Sequence, residues 1–483
     1  MKIAYLSPLP PARTGIAHYS AILLPALRDR FDVTPFSTAD GYDPSAFDVA
    51  IYQLGNNPHH EWIYREAMQR PGIAVLHDYV LHHLIVEMTL ARGDVEGYVA
   101  ALEENHGAAG GAWARGRAAG LHGEIGNFLF PASIALASRS RAVIVHNDWA
   151  AERLRSFGVR TPIHVVPHPY TAESSAAGRA SARAAHGFDA SDRVIGFFGF
   201  LTSAKRAESI LAAFRKAHAE DPRIKLLVVG EPAPNIDLTL FTRNGIITTG
   251  YVPDDDFDAY YAAADRLVNL RYPSAGETSG TLVRAFAAGK PVAVSDYAQF
   301  AEYPDSCVVK IPLAEGEVDA LTSFFVRDLD DAGIAAAQRA WLAGNATLEL
   351  TASGYAAAIA PAAAGQVREI EPALPLFAEL KLVGLFADDG LVTITVRNTG
   401  SSTLRTRTYG EPEYRIIAKL FDGGTEAQDR WLSLPSDIAP GESATLSFHA
   451  AVESGRYALR LYGALQGIPS LDLAPWASAE ITL

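Results

Sequence analysis

The 483-residue sequence contains a single cysteine, Cys307. One thiol excludes an intrachain disulfide and a cysteine-built zinc cage, and it fits a chain expected in a reducing cytoplasm. Positive charge is also scarce. The 41 Lys and Arg face 55 Asp and Glu, a formal net charge of −14. That balance excludes a broad nucleic-acid surface, which needs clustered Lys and Arg, but it is compatible with a local basic site for a diphosphate. No apolar run approaches the roughly 20 residues that span a bilayer. The opening MKIAYLSPLPPARTG has no apolar core of signal-peptide length, so peripheral contact is the one membrane association expected. A GxGxxG dinucleotide fingerprint is missing after the first strand, and no DxD pair stands in a metal-binding context. Asp254–Asp256 read as a cap for the helix that follows. No metal or cofactor is expected.

What remains is 49% hydrophobic and 20% charged, ordinary for a soluble chain with two or three buried cores. Residues 2–7 read as a buried strand, Pro8–Gly15 as a loop and IAHYSAILLPALRDRF as a helix. This is the first unit of a doubly wound sheet, whose ligands gather at the carboxyl ends of strands. Phe47–Asn57 and Gly72–Asp78 are further strands, and the second puts His77 and Asp78 on that rim. His82 and His83 follow at helical spacing and read as packing or surface. Residues 89–140 read as Ala-rich helix broken at Gly107, Gly110, Gly111 and between Gly120 and Gly126, a segment suited to an acceptor cleft. Arg141–Asp148 and Ile163–Tyr170 complete the first sheet. A hinge rich in Ala, Ser and Gly covers Thr171–Ser191.

The strand–helix alternation then restarts with RVIGFFGFL and continues through IKLLVVGEP, IITTGYV and RLVNLRY. Two facing doubly wound α/β domains are therefore predicted, over residues 1–175 and 190–335. Helices at 336–365 follow, with Trp341 and Tyr355 on apolar faces. Beyond the linker near Pro361–Pro375, residues 375–483 alternate between apolar and polar and are punctuated by Asn-Thr-Gly, Asp-Gly-Gly and Pro-Gly turns. This predicts an all-β sandwich of immunoglobulin-like type without the antibody cysteine pair. Trp431 and Trp476 are its candidates for stacking on a sugar ring, with core packing as the alternative.

The most informative stretch is Arg271–Asp296, RYPSAGETSGTLVRAFAAGKPVAVSD. Ser279, Gly280 and Thr281 open a helix that stops at Gly289-Lys290-Pro291. A helix entered through Ser and Gly aims unpaired N–H groups at an anion. Glu277 sits in the same mouth, where it would repel bare phosphate but accept hydrogen bonds from sugar hydroxyls. A sugar nucleotide offers both kinds of group.

Pro273, Ser274, Glu277, Gly280 and the run Gly289-Lys290-Pro291-Val292 resemble the signature of family 4 glycosyltransferases with the GT-B fold, and the resemblance covers roughly the first three quarters of the chain. It implies retention of anomeric configuration and a donor diphosphate bound by Lys205 on a loop that begins at Gly199. It also implies that His77 hydrogen-bonds the donor sugar, that Gly15 lies on a loop facing acceptor and sugar, and that the helices at 336–365 cross back to pack on the first domain. It further implies that Glu302 sits near the nucleotide, a residue that reads equally as a helix N-terminal carboxylate without a ligand. Two positions depart from the pattern. The family's first-loop Arg is Phe200, and its second Glu falls, with one residue fewer in between, on Arg284. The expected compensation is a relocated positive charge supplied by Arg284, Arg271 or Arg206.

The resulting expectation is a cytoplasmic, metal-independent glycosyltransferase that takes a nucleotide-diphosphate sugar to a glycan or lipid-linked sugar, in bacterial polysaccharide or cell-surface glycan synthesis. Lys205 and the N–H groups near Gly280 would stabilise the leaving diphosphate, and Glu277 and His77 would orient the sugar. Two alternatives stay open. One is a decayed GT-B scaffold that binds sugar or nucleotide without turnover. The other is a different GT-B enzyme, either a sugar-nucleotide epimerase or a glycan phosphorylase, the latter needing a pyridoxal lysine that is not identified.

Overall fold

Short runs of aliphatic residues buried on both sides form the centres of two parallel sheets, as expected where helices cover both faces. The computed structural model describes residues 1–12, 14–121, 126–170, 179–199, 201–231, 241, 244–252, 254–313, 315–364, 380–400, 404, 414–465 and 475–483. Phe200, residues 171–178 of the hinge and residues 365–379 around the second linker lie outside the described residues.

In the first domain the strands are β1 (Lys2–Leu6), β2 (Asp32–Phe36), β3 (Val49–Leu54), β4 (Ile73–Leu76), β5 (Ala142–Val145) and β6 (Ile163–Val165). Their order is β2-β1-β3-β4-β5-β6, all parallel. The helices are α1 (Gly15–Arg28), α2 (Glu61–Gln69), α3 (His82–Met88), α4 (Val95–Ala118), α5 (Gly126–Leu129), α6 (Ile134–Arg139) and α7 (Asp148–Ser156), whereas α8 (Arg179–Ala185) packs on the second domain, where Arg179 and Arg183 bind Asp265. The strand β2 is absent from the sequence reading because Pro35 interrupts its pattern. Proline is tolerated there because β2 is an edge strand. α4 bends only at Gly107 and runs on through Gly110 and Gly111. At Gly110 a Cβ would stand 2.2 Å from the Leu102 carbonyl oxygen, so that glycine permits close packing and does not break the helix.

The second domain repeats the plan with β7 (Arg193–Phe198), β8 (Ile224–Val229), β9 (Ile246–Thr248), β10 (Arg266–Asn269), β11 (Val292–Ser295) and β12 (Val309–Ile311). Their order is β12-β11-β10-β7-β8-β9, again all parallel. Around them lie α9 (Ala207–Glu220), α10 (Asp254–Ala263), α11 (Gly280–Ala287) and α12 (Glu317–Val326). α13 (Asp331–Asn345) stays with this domain. Its Trp341 packs edge-on against Phe286 at 5.3 Å, and its Gln338 amide donates to the carbonyls of Lys290 and Cys307, both at 2.9 Å. α14 (Leu348–Ala364) crosses back to the first domain, where Tyr355 is fully buried. The Tyr355 hydroxyl lies 2.9 Å from that of Tyr19 and accepts from Gln53 Nε2 at 3.1 Å.

The C-terminal strands are β13 (Leu380–Asp388), β14 (Leu391–Asn398), β15 (Tyr414–Asp422), β16 (Thr425–Ser433), β17 (Ser443–His449), β18 (Arg456–Leu465) and β19 (Ala477–Thr482). They make two antiparallel sheets, β13-β14-β17 and β16-β15-β18-β19. Alternate residues such as Val392, Ile394, Ile416, Leu420 and Leu459 are buried, the half-buried pattern of a sandwich. The Asp422–Thr425 hairpin turns through Gly423 and Gly424, both at positive φ. Trp431 is 43% exposed, whereas Trp476 is partly buried against apolar neighbours.

The crossover helix generates a prediction. Tyr355→Ala removes a fully buried ring and should destabilise the first domain by about 3–5 kcal/mol in urea unfolding. Tyr355→Phe, which loses only the hydroxyl contacts, should cost about 1 kcal/mol.

Candidate functional site

Each parallel sheet reverses its winding once, between β1 and β3 in the first domain and between β7 and β10 in the second. Ligands of open α/β sheets bind in the crevice that such a reversal opens at the carboxyl ends of the strands. In the second domain the loops bordering that crevice are Gly199–Arg206 after β7 and Leu270–Ser279 after β10.

α11 opens on this crevice. Ser279 is its N-cap and accepts from the Leu282 N–H. The hydroxyls of Ser279 and Thr281 both point at Asn269 Oδ1, at 3.0 and 2.9 Å. These bonds turn the cap residues inward, and the N–H groups of Gly280 and Thr281 precede the first intrahelical bonds. A Cβ at Gly280 would meet nothing within 4 Å, so the helix mouth is open there.

Lys205 is buried, and its ammonium donates to the Phe198 carbonyl at 2.8 Å. Burial pushes its pKa well below the ordinary value; the neighbouring Arg271 adds to the shift and Glu277 opposes it. Gly199, at φ +86°, allows this approach, since a Cβ there would stand 2.6 Å from Lys205 Nζ. Glu277 is held on several sides. Its carboxylate accepts from Arg271 Nε at 2.8 Å, from the Ala275 N–H at 3.0 Å and from the Ser274 hydroxyl at 3.3 Å. Gln299 secures the same loop, accepting from Ser274 and donating to the Glu277 carbonyl.

The other expected basic groups are placed differently. Arg206 turns to Glu317, which accepts from its Nε at 2.9 Å and from Nη2. It is thus a strut between α9 and α12, held by a buried carboxylate. Arg271 gives Nε to Glu277 and Nη1 to the Leu270 carbonyl. Arg284 is half-buried on α11, one turn beyond Thr281. Glu302 caps the other domain: it accepts from the backbone N–H groups of Asp148, at 3.3 Å, and Trp149, at the start of α7.

On the facing domain His77 is 8% exposed, and its Nε2 lies 2.7 Å from Gln53 Oε1. An amide oxygen only accepts, so Nε2 carries the proton and Nδ1 the lone pair. Burial, reinforced by His146, holds the His77 pKa well below its usual value. The ring belongs to a cluster with Tyr19, 4.7 Å away, and His146, 4.8 Å away. Burial lowers His146 to about 4. Neutral imidazoles of this kind accept hydrogen bonds from hydroxyls without adding charge. Asp78 Oδ2 accepts from the Asn56 N–H at 2.7 Å. Burial, then the nearby Glu277 charge, push the Asp78 carboxyl up to about 7. Gly15 is the first residue of α1, and a Cβ there would meet nothing within 4 Å.

Sequence reasoning brought Lys205, Gly199, Glu277, Ser279, Gly280 and Thr281 to one crevice, with His77 and Asp78 on the facing sheet. It missed Gln53, Asn269, Gln299 and Asn147. Gln53 carries a usable signal, since it is an uncharged polar residue in an otherwise apolar strand run. Among the described residues no group of three His, Cys, Asp or Glu could hold a metal ion, and no helix is long and apolar enough to cross a membrane.

Asp78 supplies a pH prediction. Its folded-state pKa of about 7 exceeds the ordinary 3.8, so between those values the folded chain binds more protons than the unfolded chain. Stability from this group therefore falls as pH rises from 4 to 7. Asp78→Asn keeps the acceptor for Asn56 and should remove that slope. Denaturant unfolding at pH 8 should find the variant more stable than the parent by about 2–4 kcal/mol, with the difference vanishing near pH 4.

Residues 192–331 match the family model described as Glycosyl transferases group 1. No curated protein matches the chain. Among solved structures, sucrose-phosphate synthase from Thermosynechococcus elongatus aligns with a TM-score of 0.51 at 15% identity, over 74% of this chain and 98% of its own. Anabaena HepE in complex with UDP and glucose aligns at 0.49 and 16% identity, over 74% and 98%. WaaG, a glycosyltransferase involved in lipopolysaccharide biosynthesis, gives 0.49 and 16%, over 74% and 99%. At 15% identity the likeness to the synthase is one of fold alone. With two facing parallel-sheet domains the chain has the GT-B fold, and the match to glycosyl transferases group 1 falls within residues 192–331 of the second one.

Proposed function

We propose that this protein is a metal-independent, retaining glycosyltransferase that moves a sugar from a nucleotide-diphosphate donor to a glycan or lipid-linked sugar. One observation carries the reading: a buried ammonium, the open N-terminal end of α11 and an anchored carboxylate border the same crevice at the winding reversal of the second sheet.

Negative charge grows on the β-phosphate as the glycosidic bond breaks. Lys205 and the N–H groups of Gly280 and Thr281 are the donors suited to meet it. Because Lys205 is buried and shifted toward the neutral form, a bound diphosphate stabilises the charged ammonium, and the two events reinforce each other. Arg284, half-buried one turn into α11, is the candidate to compensate for Phe200. Glu277 receives sugar hydroxyls while Arg271 balances its charge, and His77 offers the lone pair of Nδ1 to a further hydroxyl. The acceptor hydroxyl attacks from the face that the diphosphate leaves, and the departing phosphate takes its proton. No protein nucleophile is required. The sandwich is assigned to holding a large acceptor glycan, and the site of action to the cytoplasm.

The test is a thermal-shift and turnover series with UDP-, GDP-, ADP- and dTDP-sugars. One donor at 100 times its dissociation constant should add about 2.7 kcal/mol of stability. Lys205→Ala should weaken that donor by about 1.5–3 kcal/mol, and Arg284→Ala by a similar amount, as expected for charge-assisted bonds. Absence of a shift with every donor would overturn the reading. Binding without transfer to any glycan would favour the decayed scaffold, for which Phe200 and the Arg271–Glu277 pair speak.

A further inference from the structure

The loop that carries Glu277 is built by the second domain but gripped by the first. The Val80 N–H donates to the Ala275 carbonyl at 3.1 Å, and Asn147 Nδ2 donates to the Gly276 carbonyl at 2.9 Å. Gly276 has φ +79°, and a Cβ on it would stand 2.7 Å from Tyr79 Cβ and 3.0 Å from the Trp149 ring. Only glycine allows an approach this close. Trp149 packs edge-on against Tyr79, with ring centroids 5.5 Å apart. The backbone of that same tryptophan is bound from the other side by Glu302 of the second domain.

The start of α7 is thus held between two segments of the second domain. The segment Ala275–Gly276 receives the Asn147 side chain, and Glu302 accepts the N–H groups of Asp148 and Trp149. Gln299 joins these segments, since it lies three residues before Glu302 and hydrogen-bonds both Ser274 and the Glu277 carbonyl. A carboxylate at a helix N-terminus gains from both the unpaired N–H groups and the helix dipole. The burial of Glu302, and then the like charges of Asp148 and Glu152, oppose that gain, which favours a contact that can open.

We infer that the N-terminal end of α7 is a closure latch, with Asn147 and Glu302 as positioning residues that set Glu277 for sugar transfer. Glu302 then acts on a helix of the facing domain and not on the nucleotide. The kinetic consequence rests on the transferase reading, whereas the conformational consequence does not.

Two near-isosteric variants test it. Asn147→Asp keeps an oxygen for the α7 cap, which Asn147 provides to the Ala150 N–H, but loses the donor to Gly276. Glu302→Gln keeps the shape and loses the charge and one acceptor. Circular dichroism and melting checks that both remain folded, and small-angle scattering of the ligand-free chain reads closure. The expected result is a larger radius of gyration in the double variant than in the parent, a dissociation constant for the nucleoside diphosphate of the donor found in the thermal-shift series within about threefold of the parent's, and a kcat reduced at least tenfold. A tenfold or greater loss of affinity for that nucleoside diphosphate in Glu302→Gln with unchanged scattering would overturn the inference and make Glu302 a nucleotide ligand. Parent-like scattering and parent-like kcat would overturn it as well. If the parent itself transfers no sugar, the transferase reading fails while scattering still decides the latch.

Discussion

A carboxylate placed beside a buried ammonium and an open helix N-terminus is the constraint on which the rest of the site depends. Glu277 would repel an anion if it stood alone, but Arg271 is bound to it at 2.8 Å, and the Ala275 N–H and Ser274 hydroxyl complete its shell. With Arg271 drawn to that partner, the proposed phosphate contacts fall to Lys205, Arg284 and the α11 terminus. Lys205 in turn is buried against Phe198 and Gly199 and raises the cost of further positive charge nearby. The position of one acidic group therefore fixes the tasks of its basic neighbours.

The first sheet solves the opposite problem, presenting polar groups without charge. Gln53, Tyr355 and Tyr19 form a hydrogen-bonded chain that ends on His77 and sets its tautomer. Its neighbour His146 is kept neutral by burial. A wall of neutral acceptors facing a wall of cationic and N–H donors suits a ligand with hydroxyls at one end and phosphates at the other.

Local chemistry was legible in the sequence. Alternating strands and helices announced both parallel sheets, and Ser279-Gly280 with Gly289-Lys290-Pro291 bounded α11 to within two residues. Lys205 and Glu277 stood out because loops that open helices at strand ends are where anions and sugars are met. Relations across long separations were not legible. Gln53 reads as an oddity in β3 until Tyr355, 302 residues later, is folded against it. Arg206 looked free because Glu317 lies 111 residues away, and Glu302 because its partners belong to another domain. β2 was missed because an edge strand accepts the proline that propensity rejects. In each case tertiary context supplied the partner that decided the role.

The chain passes between the two parallel-sheet domains twice, and the crossings lie side by side, with the Tyr170 N–H donating to the Ala346 carbonyl at 2.8 Å. Two covalent connections meeting at one point act as a pivot. The partners across the crevice are therefore always tethered, and their encounter is an intramolecular association at high effective concentration. Under that condition the few polar bonds between α7 and the facing loops need only offset each other's desolvation to populate the joined state, without the large apolar interface that two separate chains would require. A union made of so few bonds also comes apart readily, as a catalyst must if its product is to leave.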